Sequence, residues 1–92
     1  MNAAEVPNTL NEGHVAPIRS LSLSQDGQIL ASGSADNSIK IWDVTAGKLL
    51  QTLKGHAGPV LSVVLSQDGK TLVSGSQDNT IKIWDVQTGT VR

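Results

Sequence analysis

Ile39-Lys40-Ile41-Trp42-Asp43-Val44 decides how this chain is read, because it occurs twice: it returns as Ile81-Lys82-Ile83-Trp84-Asp85-Val86, 42 positions later. The same offset carries Gly13-His14 onto Gly55-His56, Ser24-Gln25-Asp26-Gly27 onto Ser66-Gln67-Asp68-Gly69, and Ser32-Gly33-Ser34 onto Ser74-Gly75-Ser76. Residues 13–50 laid on 55–92 without a gap give 22 identities in 38 pairs. The chain is an internal duplication, and its structure has to be one that repeats every 42 residues.

Each copy reads as a series of short strands. Ile18–Leu23 alternates apolar and polar residues, the period-2 pattern of a strand, and Ser24-Gln25-Asp26-Gly27 supplies an Asp-Gly hairpin signal. Gln28–Ser34 follows, then the turn at Asp36-Asn37, where Asn tolerates a positive φ, then β-branched Ser38–Val44. Thr45-Ala46-Gly47 turns the chain into Lys48–Leu53. The second copy repeats this with Val60–Leu65, Thr71–Ser76 and Thr80–Val86, then turns at Gln87-Thr88-Gly89 and reaches Thr90-Val91-Arg92. No stretch holds a 3.6-residue apolar period, so no helix is predicted. Ahead of the copies, Asn8-Thr9-Leu10-Asn11-Glu12-Gly13-His14 echoes Gln51-Thr52-Leu53-Lys54-Gly55-His56, and Val6–Leu10 reads as a strand with Pro7 confined to an edge. Three segments result: residues 1–12, a first repeat at 13–54, and a second at 55–92 with an incomplete outer strand.

Bulk composition excludes several classes. Seven basic and eight acidic side chains leave a charge of −1 over 92 residues, with no cluster. Nucleic-acid binders show a basic stripe and polybasic membrane anchors a cationic run, so neither partner is expected. The absence of cysteine removes disulfides and thiolate metal sites. No apolar run approaches the roughly 20 residues of a membrane-spanning helix. Met1–Glu12 lacks the cationic start and apolar block of a secretory signal, so the expected location is cytoplasmic. Trp42 and Trp84 are the only aromatic residues, leaving Leu, Ile, Val and Ala to build the core.

A repeat near forty residues with paired Gly-His and Trp-Asp resembles the WD-repeat β-propeller family, and the likeness covers residues 13–92. It implies an all-β fold of two four-stranded antiparallel blades, in which Gly-His leads into the inner strand, Trp-Asp ends the third and the outer strand follows. It also implies that a last blade can take its outer strand from the other terminus. The family's buried hydrogen-bonded tetrad falls on His14, Ser32, Asp36 and Trp42, and again on His56, Ser74, Asp78 and Trp84. By that resemblance a chain of bonds runs from indole to hydroxyl, imidazole and carboxylate, and Asp43 and Asp85 are not its acids. The family's usual turn proline is Gln25 and Gln67 here, and its usual inner-strand aromatic is Leu23 and Leu65. The resemblance further implies a non-enzymatic module that presents loops to other proteins. The partner-facing positions are Val15, Ala16 and Ala35, then Ala57, Gly58 and Gln77, all small or featureless where hot spots favour Trp, Tyr and Arg.

Ser, His and Asp in each copy invite a hydrolase reading, but that chemistry needs a nucleophile exposed beside an oxyanion hole. Ser32 lies mid-strand with no nucleophile-elbow glycines, and its oxygen is expected to accept the Trp42 indole proton. His14 and His56 each have a carboxylate of their own, so a shared metal is not expected, nor any cofactor. Arg19 stands where the second copy has Leu61, either lining a central channel or solvated.

Two blades cannot cover themselves. Val60-Leu61-Ser62-Val63-Val64-Leu65 places apolar residues on both faces of the pleat, as in a sheet buried on both sides. A pair of blades buries one interface and leaves two outer faces bare, whereas repeat arrays need about three units or polar caps. Because the bare faces copy the packed ones, head-to-tail contacts between chains are expected, closing into a ring where the rotation permits. The expected particle is a homotetramer of eight blades, with six and ten open, in which Val6–Leu10 of one chain completes the second blade of its neighbour beside Thr80–Val86. The alternative is a two-blade fragment, natural or engineered, of a longer amplified repeat protein with no independent function beyond assembly; near-identical copies and the stop at Arg92 motivate it.

Overall fold

The computed structural model describes residues 14–92. Four positive-φ glycines and two positive-φ asparagines set its turns. Gly27, Gly69, Gly47 and Gly89 have φ of 76, 75, 66 and 73°, and Asn37 and Asn79 have 75 and 74°, a region that Gly enters freely and Asn at modest cost. Between them run β1 (Ile18–Leu23), β2 (Ile29–Ser34), β3 (Ser38–Asp43) and β4 (Lys48–Lys54), then β5 (Val60–Leu65), β6 (Thr71–Ser76), β7 (Ile81–Asp85) and β8 (Thr90–Val91). They form two four-stranded sheets of order β1-β2-β3-β4 and β5-β6-β7-β8, with every pairing antiparallel. The described residues are all-β.

Strand ends differ slightly from the sequence expectation, for a local reason. Gln28 donates its backbone N–H to Asp26 Oδ1 and Thr80 its own to Asp78 Oδ1, at 3.0 and 2.9 Å. β2 begins at Ile29 and β7 at Ile81. Ser38 donates the same bond to Asp36 Oδ1 yet opens β3 because it pairs with Lys54, whereas the short β8 offers Thr80 no such partner. The Asp-Gly turn is wider than a two-residue hairpin: Ser24 N–H reaches Ile29 C=O at 2.8 Å, while Ser24 Oγ donates to Asp26 Oδ1 and accepts from Ile29 N–H.

The fourth strands are unequal. β4 pairs with β3 from Ser38↔Lys54 to Asp43↔Lys48, whereas β8 pairs with β7 only through Trp84↔Val91 and Asp85↔Thr90. The expected N-terminal strand Val6–Leu10 lies outside the described residues.

The core lies between the sheets. Ala31, Ile39, Ile41 and Leu53 of the first are buried with Val60, Val63, Leu65, Leu72, Trp84 and Val86 of the second. A Cβ on Gly33 would stand 2.7 Å from Val60 Cγ1 and 3.1 Å from Val63 Cγ1, so glycine permits this approach. The inner strands also exchange polar contacts: Val63 N–H donates to Ser20 Oγ at 3.2 Å and Leu65 N–H to Ser22 Oγ at 2.9 Å. These two hydroxyls satisfy edge amides that have no ladder partner.

Candidate functional site: paired hydrogen-bonded tetrads

Each sheet is tied to its own entry loop by a relay of polar side chains. In the first, Trp42 Nε1–H donates to Ser32 Oγ at 2.9 Å, Ser32 Oγ lies 2.7 Å from His14 Nε2, and His14 Nδ1 lies 2.9 Å from Asp36 Oδ2. In the second, Trp84 Nε1–H reaches Ser74 Oγ at 2.8 Å, Ser74 Oγ meets His56 Nε2 at 2.7 Å, and His56 Nδ1 meets Asp78 Oδ2 at 3.1 Å. A neutral imidazole with its proton on Nδ1 satisfies every link: histidine donates to the carboxylate, the serine hydroxyl donates to Nε2, and the indole donates to the serine oxygen. The structure thus brings together all eight residues singled out from the sequence, four in each blade.

Strand geometry places them. Ser32 and Trp42 sit on adjacent antiparallel strands and Asp36 in the β2–β3 turn, while histidine enters from the loop before β1. Ser32, Ser74, Trp42 and Trp84 are at most 3% exposed. Among the described residues no buried side-chain nitrogen or oxygen lacks a hydrogen-bond partner, which is the condition for burying polar groups without penalty.

The carboxylates hold more than the imidazoles. Burial pushes Asp36 upward, yet the Ser38 hydroxyl at 2.6 Å, the Ser38 N–H, His14 and the Val15 N–H together hold it well below the usual carboxylate range. For Asp78 the Thr80 hydroxyl is the largest influence; burial opposes it, and the Ala57 N–H, His56 and Thr80 N–H add to it, again placing the group far below that range. Ser38 and Thr80 are members of the network that the sequence reading missed. The signal was present: a hydroxyl residue stands two positions after the tetrad acid in both copies. Ser34 and Ser76 are a second omission, each hydroxyl lying 3.0–3.1 Å from two carbonyls of the Gly-His loop and accepting the N–H of the tetrad acid.

Asp43 and Asp85 stay outside the tetrads. Asp43 Oδ1 accepts the Ala46 N–H at 3.0 Å, and Asp85 Oδ1 accepts those of Gln87 and Thr88 at 3.0 and 3.2 Å. They shape the turn into the fourth strand.

The loop residues gather at one end of each sheet. Ala35 N–H donates to Pro17 C=O and Gln77 N–H to Pro59 C=O, both at 3.0 Å, so each Gly-His loop lies against the turn before its acid. Val15, Ala57 and Gln77 are exposed, and Ala16, Ala35 and Gly58 are half-buried. Arg19 occupies the β-bulge between Ile18 and Ser20 and is exposed; Leu61 does the same in the second copy. Among the described residues no three His, Asp or Glu side chains converge as metal ligands. A groove of about 470 Å³ opens where Ile29, Ile41 and Leu50 face Gly69, Lys70 and Val86.

Comparison with known proteins gives the same repeat. The family model described as WD domain, G-beta repeat matches residues 5–43 and 47–85. A WD repeat-containing protein from Schistosoma mansoni, SL1-17, is 51% identical over 39 residues, covering 42% of this chain and 13% of that protein. A ribosome biogenesis protein BOP1 homolog from Dictyostelium discoideum is 52% identical over 42 residues, 46% of this chain and 5% of its own. The COMPASS component SWD3 of Saccharomyces cerevisiae is 46% identical over 41 residues, 45% of this chain and 13% of its own. The matched stretch is thus about one repeat long and a small part of each relative. With two matched repeats, two antiparallel sheets and a tetrad in each, the chain belongs to the WD-repeat family.

Proposed function

We propose that this chain is a non-enzymatic protein-interaction scaffold whose two blades become a closed propeller by association of several copies. The observation that carries the proposal is the contrast between equivalent faces. Val60, Val63 and Leu65 are at most 7% exposed, whereas their counterparts Ile18, Leu21 and Leu23 are 47, 61 and 54% exposed. Ala31, Ile39 and Ile41 are fully buried, whereas Val73, Ile81 and Ile83 are 38, 77 and 46% exposed. Apolar patches of this kind mark contact surfaces. The favoured particle has four copies and eight blades, and residues 1–12 of one copy complete the outer edge of β7 in the next, beside the short β8. Sedimentation of the whole chain against a chain lacking residues 1–12 tests this. The proposal expects the truncated chain to lose most of its association, and equal association would overturn strand donation.

The tetrads support a structural role over a hydrolytic one. Ser74 is fully buried and Ser32 only 3% exposed, each oxygen accepting an indole proton, whereas acyl transfer needs an accessible nucleophile beside an oxyanion hole. Loops on the Gly-His side, around Val15, Ala35, Ala57 and Gln77, would face other proteins. The names of two relatives, a COMPASS component and a ribosome biogenesis protein, fit an interaction module. A second reading rests on the small share of each relative that is matched: the two blades would belong to a longer amplified repeat protein, and neighbouring blades of that chain would cover the same faces.

A further inference from the structure

Self-association alone does not say which residues meet. We infer that the front of the first blade, Ile18, Leu21 and Leu23, seats on the back of the second blade of another copy, Val73, Gly75, Ile81 and Ile83, in the geometry of the internal seam. This rests on the self-assembly proposed above and adds the contact that makes it. The occupant is a second copy because the chain already contains the docked arrangement. In the internal seam the back of the first blade, with Ala31, Gly33, Ile39 and Ile41, receives Val60, Val63 and Leu65. Shifting each residue by 42 positions turns that seam into the two faces left bare.

Gly75 points the same way. Its counterpart Gly33 is glycine because a Cβ there would strike Val60 and Val63 at 2.7 and 3.1 Å. Among the described residues a Cβ on Gly75 would meet nothing within 4 Å, and its φ is not positive. Glycine weakens a strand and marks close approach by another element, and no described residue of the same chain makes that approach to Gly75. Seated as Val60 is on Gly33, Ile18 of a second copy gives the reason. The polar contacts transfer in part: Ser62 replaces Ser20 and accepts the Leu21 N–H of the second copy, whereas Val64 replaces Ser22 and accepts nothing.

Four differences make the seam between copies more apolar: Val60 becomes Ile18, Val63 becomes Leu21, Ala31 becomes Val73 and Ser22 becomes Val64. Ile29, which packs against the internal core, becomes Thr71 and runs the other way. The internal seam is closed with the help of the covalent connection, which supplies a high effective concentration. A seam between separate chains lacks that help and gains from added apolar burial.

Three variants of the whole chain test the assignment by sedimentation, with circular dichroism and urea midpoints as folding controls. Gly75→Val is expected to keep the single-chain fold and to raise the concentration for half-assembly about tenfold or more, as overpacking does. Leu21→Asp and Ile81→Asp are each expected to run as single chains. Mixed in equal amounts they are expected to form pairs of about 19 kDa, twice the 9.6 kDa chain, because one variant keeps an intact back and the other an intact front. Pairing of either Asp variant with itself would overturn the front-to-back assignment. So would a mixture that stays single-chain, or unimpaired assembly of folded Gly75→Val. A wild-type chain that never associates would instead overturn the self-assembly reading itself.

Discussion

Replacing Ser74 by alanine removes the centre of the second tetrad. Its oxygen accepts the Trp84 indole proton at 2.8 Å and its hydroxyl meets His56 Nε2 at 2.7 Å. Ser74 is fully buried, with Trp84 and His56 only 1 and 7% exposed, so neither partner finds water without disturbing the sheet. Each orphaned buried group costs about 1–3 kcal/mol, and two give about 2–6 kcal/mol. At about 3 kcal/mol, and about 4–8 °C per kcal/mol in a domain of this size, the unfolding midpoint falls by about 12–24 °C. The assay is urea and thermal unfolding followed by tryptophan fluorescence, at fixed protein concentration because association adds its own stabilisation. Exposed Thr88→Ala serves as a reference and is expected to change stability by less than about 0.5 kcal/mol. A double-mutant cycle with Trp84→Phe isolates the indole bond and is expected to give about 0.5–3 kcal/mol of coupling. A Ser74→Ala loss no larger than that of Thr88→Ala would refute the structural role of the tetrad.

The tetrad acids give a pH dependence of definite sign. Asp36 and Asp78 are held below the usual carboxylate range when folded, so as pH falls the unfolded chain takes up protons first, near pH 4. Their stabilisation is present above that value and is lost as pH drops toward their depressed folded values. Unfolding midpoints measured from pH 6 to pH 2 are expected to fall below about pH 4, and Asp78→Asn is expected to flatten that slope; an unchanged slope would contradict the network. Asn79 holds φ of 74°, so Asn79→Gly is expected to be near neutral and Asn79→Val to cost about 1–3 kcal/mol by denaturant unfolding.

Much of this was legible in the sequence, for physical reasons that can be named. Asp26-Gly27 and Asp36-Asn37 announced their turns because few residues accept φ near +75°. The period-2 pattern of Ile18–Leu23 gave two strand faces, but not which neighbour each would meet. Ser20 and Ser22 face the second blade and Leu21 and Leu23 face away, a choice that depends on packing and on the bulge at Arg19. Ser38 and Thr80 escaped because a hydroxyl at the head of a β-branched stretch reads as ordinary strand composition; only the fold brings them against the acid. Gly33 and Gly75 look equivalent in sequence, and the structure separates them, one packed and one open.

The most direct test of the account is the number of chains per particle, counted by native mass spectrometry over a range of protein concentrations. Closure of bare blade faces by further copies predicts a discrete species of about 38 kDa, four chains of 9.6 kDa, with no ladder of open-ended sizes. A single species of 9.6 kDa that stays folded at every concentration would contradict it.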